Sequence, residues 1–310
     1  MDVGQPTLDQ LRIFLAVAEE GSFNRAANRL RRALSVVSYG VAALEGQLGV
    51  KLFEREGSRR PQLTDAGRAL LEDARLIADD VDGLVARARG ILQGLETELA
   101  LAVDVMVPSG TLAGVLRDFQ TLFPTVNLRL HVEALGAVAA LVLDRRADLG
   151  VAGPEVGNLP ELQSRALGSV ELLPTAAPSH PLAQRKRIQP GEASDHLQLV
   201  LTDRSPLTEG KEFSVLSART WRLADLGSKH ALLLEGIGWG NMPRHLIRHD
   251  LAAGRLVGLR LPEAATFDYR LGALWRKDRR PGPAAAWMLD ALIRRCGQPN
   301  FGVGAASKAG

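Results

Sequence analysis

Arginine is concentrated in two short stretches near the start of the chain, residues 25–32 and 51–60. A guanidinium group stays charged and offers a fork of hydrogen-bond donors, which suits phosphate oxygens or a nucleic-acid minor groove. The first 66 residues contain nine Lys and Arg against eight Asp and Glu, so this positive charge is local. Local clusters are typical of nucleic-acid-binding surfaces. We therefore predict phosphate or minor-groove contacts from Arg31, Arg32, Arg55, Arg59 and Arg60.

An uncharged stretch lies between these clusters. With about 100° per residue, its apolar residues share one side of a predicted helix: Val37, Val41, Leu44 and Leu48. Ser35, Ser38 and Tyr39 lie on the other faces, where a purely structural helix would usually have Lys or Glu. A small-sided face with one aromatic ring can approach another surface closely, and we predict that these three side chains contact bases. The alternative is that Tyr39 packs on a neighbouring helix.

The flanking sequence predicts the helices that hold these side chains. Thr7 and Gln10 can form a capping box before one apolar-striped helix. Ser22 can cap a second helix, whose apolar residues recur at helical spacing. Only residues 31–34 separate this second helix from the third, which requires a tight corner. Three short helices with this corner are typical of a helix-turn-helix, and the turn at residues 56–58 predicts a hairpin after it.

Sequence patterns for catalysis are weak. The segment GIGWG, residues 236–240, lacks the full dinucleotide-binding fingerprint. His245 and His249 are four residues apart on a predicted helix, but Leu246 stands where a zinc protease needs its glutamate. There is no G-x-S-x-G motif, and Cys296 has no obvious base nearby in sequence. The sequence therefore predicts no catalytic residues, no metal site and no cofactor.

The first 66 residues contain three motifs in order: LDQLRIFLAVAEEGSFNRAANRL, SVVSYGVAALEGQLGVKLFER and LTDAG. This series resembles the amino-terminal domain of LysR-type transcriptional regulators. The resemblance implies a winged helix-turn-helix over residues 1–66, with its third helix in the major groove of DNA. Family members often have a Ser-Gln pair where this chain has Ala33 and Leu34, and an arginine in place of Tyr39. No consensus operator sequence is therefore transferred to this chain.

Length and composition agree with this interpretation. A chain of 310 residues, 46% of them hydrophobic, can form two or three domains with proper cores. Cys296 is the only cysteine, so we expect no internal disulfide and a reducing compartment. No window approaches the roughly 18 apolar residues of a membrane span, and the amino terminus lacks a signal core. We expect a soluble cytoplasmic protein, with no membrane partner.

A long helix is predicted after Thr64, over residues 67–96. Its apolar residues alternate spacings of four and three: Leu70, Ala74, Ile77, Val81, Leu84, Ala88, Ile91 and Leu95. Two apolar positions per heptad form the seam of a coiled coil, whereas a helix lying on its own domain needs a wider stripe. We predict a linker helix that forms a homodimer, so that two recognition helices read two half-sites.

The remaining residues alternate predicted strands and helices, which favours right-handed crossovers and a parallel sheet. The predicted strands include residues 127–133, 170–176 and 198–201, and residues 236–240 are predicted only as a glycine-rich segment. Two such halves resemble a periplasmic-binding-protein fold, the effector module of the LysR family. The resemblance places the effector domain at residues 97–296, and the small and polar residues 297–310 are predicted to be a disordered tail. Its first subdomain comprises residues 99–168 and 265–296, and its second comprises 169–264. The predicted fold class is α+β multidomain: winged helix-turn-helix, coiled-coil linker helix and two α/β effector subdomains.

Ligands in such sheets bind beyond the carboxyl ends of the strands, between the halves. We predict a small-molecule effector there, beside Ser109, Gly110 and Thr111, where free N–H groups at a helix start can hold an anion or polar oxygen. Ser109 can cap this helix, and capping without ligand contact is the alternative. The further candidates are the polar Thr202, Asp203 and Asp225 and the apolar lining residues Leu135, Gly153 and Phe267.

Two functions fit these observations. The leading hypothesis is a ligand-responsive transcription regulator that binds an interrupted inverted-repeat DNA operator. The family resemblance further suggests a dimer or a dimer of dimers, and contact with RNA polymerase. The alternative is a small-molecule-binding protein or transferase whose helical front end serves only for dimerisation. The arginine-rich hairpin and the outward Tyr39 discriminate between them, because a pure dimerisation domain needs neither.

Overall fold

The computed structural model describes residues 4–54, 61–154, 159–203, 205–264 and 266–296. The chain folds into two compact units that divide after Leu92. Each unit has a hydrophobic core of its own. Within the described ranges, no helix combines the length and apolar content that a membrane crossing requires.

Three helices form the centre of the first unit: α1 Leu8–Glu20, α2 Phe23–Leu30 and α3 Leu34–Leu48. The predicted capping box is present at the start of α1, where Thr7 and Gln10 exchange hydrogen bonds. The Ser22 hydroxyl caps α2 by accepting a hydrogen bond from the Arg25 N–H. Local sequence signals therefore determine where the first two helices begin.

The corner between α2 and α3 is held by backbone geometry. Arg31 ends α2 in the left-handed conformation, with φ 54°. The backbone N–H of Arg32 then donates to a carbonyl of α2, and α3 starts at Leu34 without a side-chain cap. Gly40 allows α3 to pack closely on α1, since a Cβ at this position would lie 2.6 Å from Ile13 Cδ1.

A two-stranded antiparallel hairpin follows α3, as the turn sequence predicts: β1 Phe53–Glu54 and β2 Gln62–Leu63. Arg55, Arg59 and Arg60, the predicted phosphate contacts, lie outside the described residues. The chain continues into the long helix α4, Asp65–Leu92.

Buried Glu45 of α3 ties the hairpin to the helices. Its carboxylate accepts hydrogen bonds from the backbone N–H groups of Leu52 at 2.9 Å and Phe53 at 3.3 Å. It also accepts one from Lys51 Nζ at 2.9 Å. Burial alone would raise the pKa of Glu45, but the bonds from Lys51, Leu52 and Phe53 outweigh it and hold that pKa below its usual value.

The second unit is built on one sheet of nine strands among the described residues. The strands are β3 Glu98–Asp104, β4 Asn127–Glu133, β5 Leu149–Ala152, β6 Leu162–Ala176, β7 Gln198–Leu201, β8 Thr220–Leu223, β9 Trp239–Pro243, β10 Val257–Gly258 and β11 Phe267–Arg276. The helices are α5 Ser109–Leu122, α6 Ala137–Leu143, α7 Leu226–Leu234, α8 Arg244–Ala252 and α9 Pro283–Cys296. The strand order is β4-β3-β5-β11-β6-β9-β7-β8, and β10 pairs with β6.

The sheet is mixed, which corrects the prediction of a parallel sheet. β3 pairs in parallel with β4 and β5, and β7 pairs in parallel with β8 and β9. β6 pairs antiparallel with β11 and with β9, and β11 also pairs antiparallel with β5. Strand–helix alternation correctly predicts the parallel pairs of β3 with β4 and β5, since α5 and α6 separate these strands in the chain. It carries no information on β6 and β11, because each follows the preceding strand without an intervening α-helix.

Two strands differ from the predicted elements. β6 begins at Leu162 rather than at Val170, and its first half is largely exposed, so the sequence there has little apolar signal. β9 occupies the segment that was predicted only as glycine-rich, because glycine lowers the expectation of a strand. Gly240 is needed in β9 for close approach: a Cβ there would lie 2.6 Å from the Leu199 carbonyl oxygen.

The bonds to Glu45 lead to a test of how the hairpin is anchored. Glu45→Ala leaves the buried N–H groups of Leu52 and Phe53 without an acceptor, which should destabilise the first unit by about 1–3 kcal/mol. Urea unfolding followed by circular dichroism measures this loss. Glu45→Gln retains one acceptor and should lose less. The exposed Glu54→Ala is the control, and an equal loss for both alanine variants would contradict this role of Glu45.

Candidate functional site

The outward face of α3 is uncharged and open to solvent. Ser35 and Ser38 are exposed, and Tyr39 is exposed over 76% of its surface. Tyr39 therefore does not pack on a helix of its own unit, which removes the packing alternative there. The predicted apolar face is buried as expected at Val37, Val41 and Leu44. The first turns of α3 thus present two hydroxyls and a phenol ring on one rigid surface.

Arg31 and Arg32 lie beside this surface and differ in whether their side chains are paired. Arg32 Nη1 lies 2.6 Å from Asp9 Oδ2, and the hydrogen bond from Arg32 holds the pKa of Asp9 below its usual value. Arg31 is exposed, and its side chain has no ion pair or hydrogen bond with another described residue. Arg31 can bind a phosphate without losing a partner, whereas Arg32 must first exchange its bond to Asp9.

The predicted seam on α4 divides into two parts. Leu70 and Ala74 pack against the core of the first unit, so they cannot also face a second helix. Ile77, Leu84 and Ile91 are exposed and lie seven residues apart on one face. Exposed apolar side chains at heptad spacing are typical of a helix that pairs with another chain. Leu95 lies beyond the end of α4 and packs against the core of the second unit. The seam prediction is therefore restricted to α4 from Ile77 to Ile91.

Two adjoining cavities lie beside β7 in the second unit. The first has a volume of about 550 Å³ and the second about 370 Å³. Both are lined by Leu135, Val200, Leu201, Glu212 and Phe213. Volumes of this size suit small organic ligands.

The second cavity is lined mostly by apolar side chains: Met106, Leu135, Pro154, Leu172, Leu199, Val200, Leu201, Phe213 and Phe267. Several of its polar side chains already have partners. The Gln198 side chain hydrogen-bonds with backbone groups, and the Tyr269 hydroxyl donates to Asp104 Oδ2 at 3.0 Å. Glu212 forms an ion pair with Arg222. Among the described residues, the side chains of Lys229, Asn241 and Ser214 have no such partner, and the first two are buried deepest in the apolar wall.

Lys229 is the unusual group in this cavity. It lies on the buried face of α7 with Leu226 and Leu233, and only 3% of its surface is exposed. Gly240 makes room for its stem, since a Cβ there would lie 2.9 Å from Lys229 Cε. Among the described residues, none accepts a hydrogen bond from its Nζ. Burial lowers the pKa of Lys229 to about 7.

Asn241, on β9, also lines the second cavity. Its Oδ1 atom is buried and has no hydrogen-bond partner among the described residues. A side-chain amide can offer either its oxygen or its NH₂ group to a ligand. Lys229 and Asn241 therefore provide unused hydrogen-bonding capacity in an otherwise apolar wall.

The predicted effector contacts are only partly brought together. Leu135 lines both cavities, Thr202 and Asp203 line the first, and Phe267 lines the second. Gly153 lines neither of these cavities, although its neighbour Pro154 lines the second.

The remaining predicted contacts are located at helix starts. Ser109 is the first residue of α5, and the N-cap is Pro108, which has no side-chain capping bond; this corrects the prediction that Ser109 caps the helix. The backbone of Ser109 is already helical, so its hydroxyl is not placed as an N-cap oxygen would be. Gly110 and Thr111 follow it, and none of these three residues lines either cavity. Asp225 caps α7 by accepting from two backbone N–H groups.

Sequence reasoning missed Lys229, although a signal was present. Leu226, Lys229 and Leu233 recur at positions i, i+3 and i+7, the spacing of one helix face. A lysine at an apolar position of such a pattern predicts that its aliphatic stem is buried. The pattern does not identify the group that pairs with its ammonium.

Two family models match the chain. Residues 8–68 match the model described as bacterial regulatory helix-turn-helix protein, lysR family, and residues 92–297 match the LysR substrate binding domain. The second match alone covers more than half of the chain. The chain belongs to the LysR family.

This chain is also similar to individual regulators along much of its length. It is 29% identical over 291 residues to the probable HTH-type transcriptional regulator YhaJ of Escherichia coli (strain K12), covering 91% of this chain and 94% of YhaJ. It is 35% identical over 208 residues to a probable nitrogen assimilation transcriptional activator of Synechococcus elongatus, covering 63% of each chain. These relatives are named as transcription regulators.

Solved structures share the LysR-type fold. ArgP from Mycobacterium tuberculosis has a TM-score of 0.52 and 25% identity, with 97% of this chain and 98% of ArgP covered. CrgA from Neisseria meningitidis has a TM-score of 0.51 and 23% identity, with 94% of this chain and 99% of CrgA covered. The protein is a ligand-responsive, DNA-binding transcription regulator of the LysR type, in a family that is not enzymatic. The hypothesis of a transferase with a purely dimerising front end is therefore wrong.

The burial of Lys229 leads to a pH-dependent prediction. Its pKa is about 7 in the folded chain, against its usual 10.5 when unfolded, so the unfolded chain binds more protons between these pH values. Stability of the second unit should therefore rise with pH across this window, by about 1 kcal/mol per pH unit from this group. Lys229→Met removes the group, and should stabilise the unit more at pH 7 than at pH 9.

Urea unfolding of the wild type and the variant at both pH values measures this difference. Lys186→Met is the control, because Lys186 is exposed. A difference between wild type and Lys229→Met that does not change with pH would show that the Lys229 ammonium is solvated in the folded protein.

Proposed function

We propose that this LysR-type regulator binds an interrupted inverted-repeat operator as a dimer, and that a small molecule in the cavities beside β7 controls it. The observation that carries the DNA-binding part is the exposed, uncharged first turns of α3 beside Arg31, which has no ion pair with any described residue. A recognition helix contacts bases mainly near its amino end. The first turns of α3 have the exposure and the functional groups that such contact requires.

The proposed base contacts are Ser35, Ser38 and Tyr39. Hydroxyls can bond with either donors or acceptors on base edges, and the Tyr39 ring can contact a thymine methyl group. Arg31 is the proposed phosphate contact beside them, and Arg32 joins it once its bond to Asp9 is exchanged. Arg55, Arg59 and Arg60 are proposed to contact phosphates or the minor groove from the hairpin.

The proposed division of the chain follows these roles. Residues 1–66 bind DNA, 67–96 link and dimerise, and 97–296 hold the effector. Within the effector domain, subdomain I comprises 99–168 with 265–296, and subdomain II comprises 169–264. The division into two compact units after Leu92 supports a boundary within the linker.

Dimerisation is proposed to cover the exposed stripe of Ile77, Leu84 and Ile91. A stripe at heptad spacing matches a second copy of the same helix better than it matches the single unit. Two dimers are proposed to join through the effector domains, and the assembled regulator to contact RNA polymerase in the cytoplasm.

The effector is proposed to contact Leu135, Thr202, Asp203 and Phe267, which line the cavities. Ser109, Gly110, Thr111, Gly153 and Asp225 are left out of this proposal, because none of them lines either cavity. The ligand can shift the balance between two dimer geometries only by the difference in its affinity for them.

Operator binding provides the first test. Tyr39→Ala should weaken binding to the operator by about 1–3 kcal/mol, the value of one base contact, and leave non-specific binding nearly unchanged. A gel-retardation assay with the DNA upstream of the protein's own coding region, with and without competitor DNA, measures both. Tyr39→Phe retains the ring and separates its contribution from that of the hydroxyl.

Arg31→Ala should instead weaken binding to all DNA alike and reduce the salt dependence of binding by about one phosphate contact. If Tyr39→Ala lowered thermal stability and spared the choice of operator, Tyr39 would be a packing residue in the assembled protein. A wild-type chain that retards neither operator nor competitor DNA would overturn the proposed function.

The exposed stripe on α4 provides the second test. Replacing Ile77 and Leu84 together by Asp would bury unpaired charges in the proposed seam, which is unfavourable. Analytical ultracentrifugation should then show a shift from dimer to monomer. Ala86→Asp is the matched control, because Ala86 is exposed on the opposite side of the helix and should leave the dimer intact. An unchanged oligomer in the double variant would place the dimer contact elsewhere.

A further inference from the structure

The second cavity encloses about 370 Å³ between the two halves of the sheet. Its walls come from segments on both sides: Met106 and Pro154 precede β6, whereas Leu199, Lys229 and Asn241 follow it. Sites for small molecules are usually apolar clefts with a few placed polar groups that fix the orientation of the ligand. The polar side chains of this cavity that lack a partner among the described residues indicate the chemical class of the ligand.

The charge of this cavity is set by Lys229. Glu212 and Lys229 are the charged residues among its described lining residues, and Glu212 is already paired with Arg222. The buried Asp104 accepts hydrogen bonds from the Tyr269 hydroxyl and the Met106 N–H. No described carboxylate forms an ion pair with Lys229. A buried ammonium without a partner is energetically unfavourable. An anion that binds beside it is attracted strongly, because electrostatic interactions are stronger in low-dielectric surroundings.

We infer that the second cavity binds an organic anion with an apolar body, such as an aromatic carboxylate, and that its carboxylate pairs with Lys229. The inference rests on the proposed role of the cavities as the effector site, and names the chemical class of the effector. The apolar body contacts Phe213, Phe267 and the aliphatic wall. Asn241 offers its amide as a second hydrogen-bonding group.

Other ligand classes fit the second cavity less well. A neutral ligand would leave the Lys229 ammonium unpaired. A cationic ligand would meet a like charge at Lys229, because Glu212, the carboxylate among the described residues that line the second cavity, is already paired with Arg222. Asp203 Oδ1 accepts from the Thr208 hydroxyl at 2.5 Å, and its Oδ2 has no partner among the described residues. A hydrogen-bond donor at the far end of the ligand can therefore contact Asp203.

Three probes of nearly equal shape test this assignment: phenylacetate, phenylacetamide and phenethylamine, which are anionic, neutral and cationic. Isothermal titration calorimetry on the full chain measures their binding. The wild type should bind phenylacetate at least about tenfold more tightly than phenylacetamide, because only the anion pairs with Lys229. Lys229→Met should remove this preference, so that the two affinities agree within about threefold.

Two further variants separate charge from packing. Phe267→Ala should weaken phenylacetate and phenylacetamide by similar factors, since it acts on the apolar body of both. Lys186→Met lowers the net charge by the same amount from an exposed position and should change neither affinity. Retention of phenylacetamide binding by Lys229→Met shows that the variant is folded. Should that binding be lost, Lys229→Gln replaces it in the same comparison.

The outcomes that overturn the inference are distinct from those that overturn the proposed function. A wild-type chain that binds none of the probes, prefers phenethylamine or phenylacetamide, or keeps its anion preference without Lys229 overturns the assignment of an anion to Lys229. Operator binding without ligand is measured on the same preparations by gel retardation. If the operator is bound while the anion preference is absent, the inference alone is wrong; if the operator is not bound, the proposed function is wrong whatever the probes show.

Discussion

The long antiparallel pairing of β6 with β11 determines the position of both cavities. The pairing extends from Phe267 opposite Leu172 to Arg276 opposite Leu162, with a shift in register between Arg270 and Gly272. β5 is paired on the outer edge of β11, and β9 on the outer edge of β6. Both long strands therefore belong to each half of the sheet. Because of this, Phe267 at the start of β11 lies beside residues of β7 and β9, and a ligand contacts segments that are distant in sequence.

Local sequence signals predict much of the first unit and the parallel parts of the second. The capping pair of Thr7 and Gln10 and the cap at Ser22 depend only on residues within one helical turn, so they can be recognised without the fold. The strands β4 and β7 are likewise found at their predicted bounds, since each is a short run bounded by turns. The course of β6 and the existence of β9 depend on partner strands, and such partners are not visible in the local pattern.

The candidate sites show the same division between local and distant causes. The exposure of Tyr39 follows from the helical period of α3 alone. Asp203 was found because it follows the end of a strand, where ligands of such sheets collect. Asp225 also follows a strand, but its carboxylate caps α7. The hydrogen bond between Arg32 and Asp9 joins residues far apart in sequence, so the local pattern did not predict it. Lys229 was missed because its burial depends on Gly240, a residue of another strand, leaving room for its side chain.

Lys229 has opposite effects on the stability of the folded chain and on the recognition of the proposed ligand. An unpaired ammonium in an apolar wall weakens the folded state as long as no ligand is present, and on the proposed pairing the same group selects the ligand. Directed evolution that selects for heat resistance alone would therefore favour apolar replacements of Lys229. The resulting proteins would fold better and still bind DNA, but they would no longer respond to the signal. A thermostable biosensor built on this scaffold should be selected with the ligand present at every round, so that the lysine is retained.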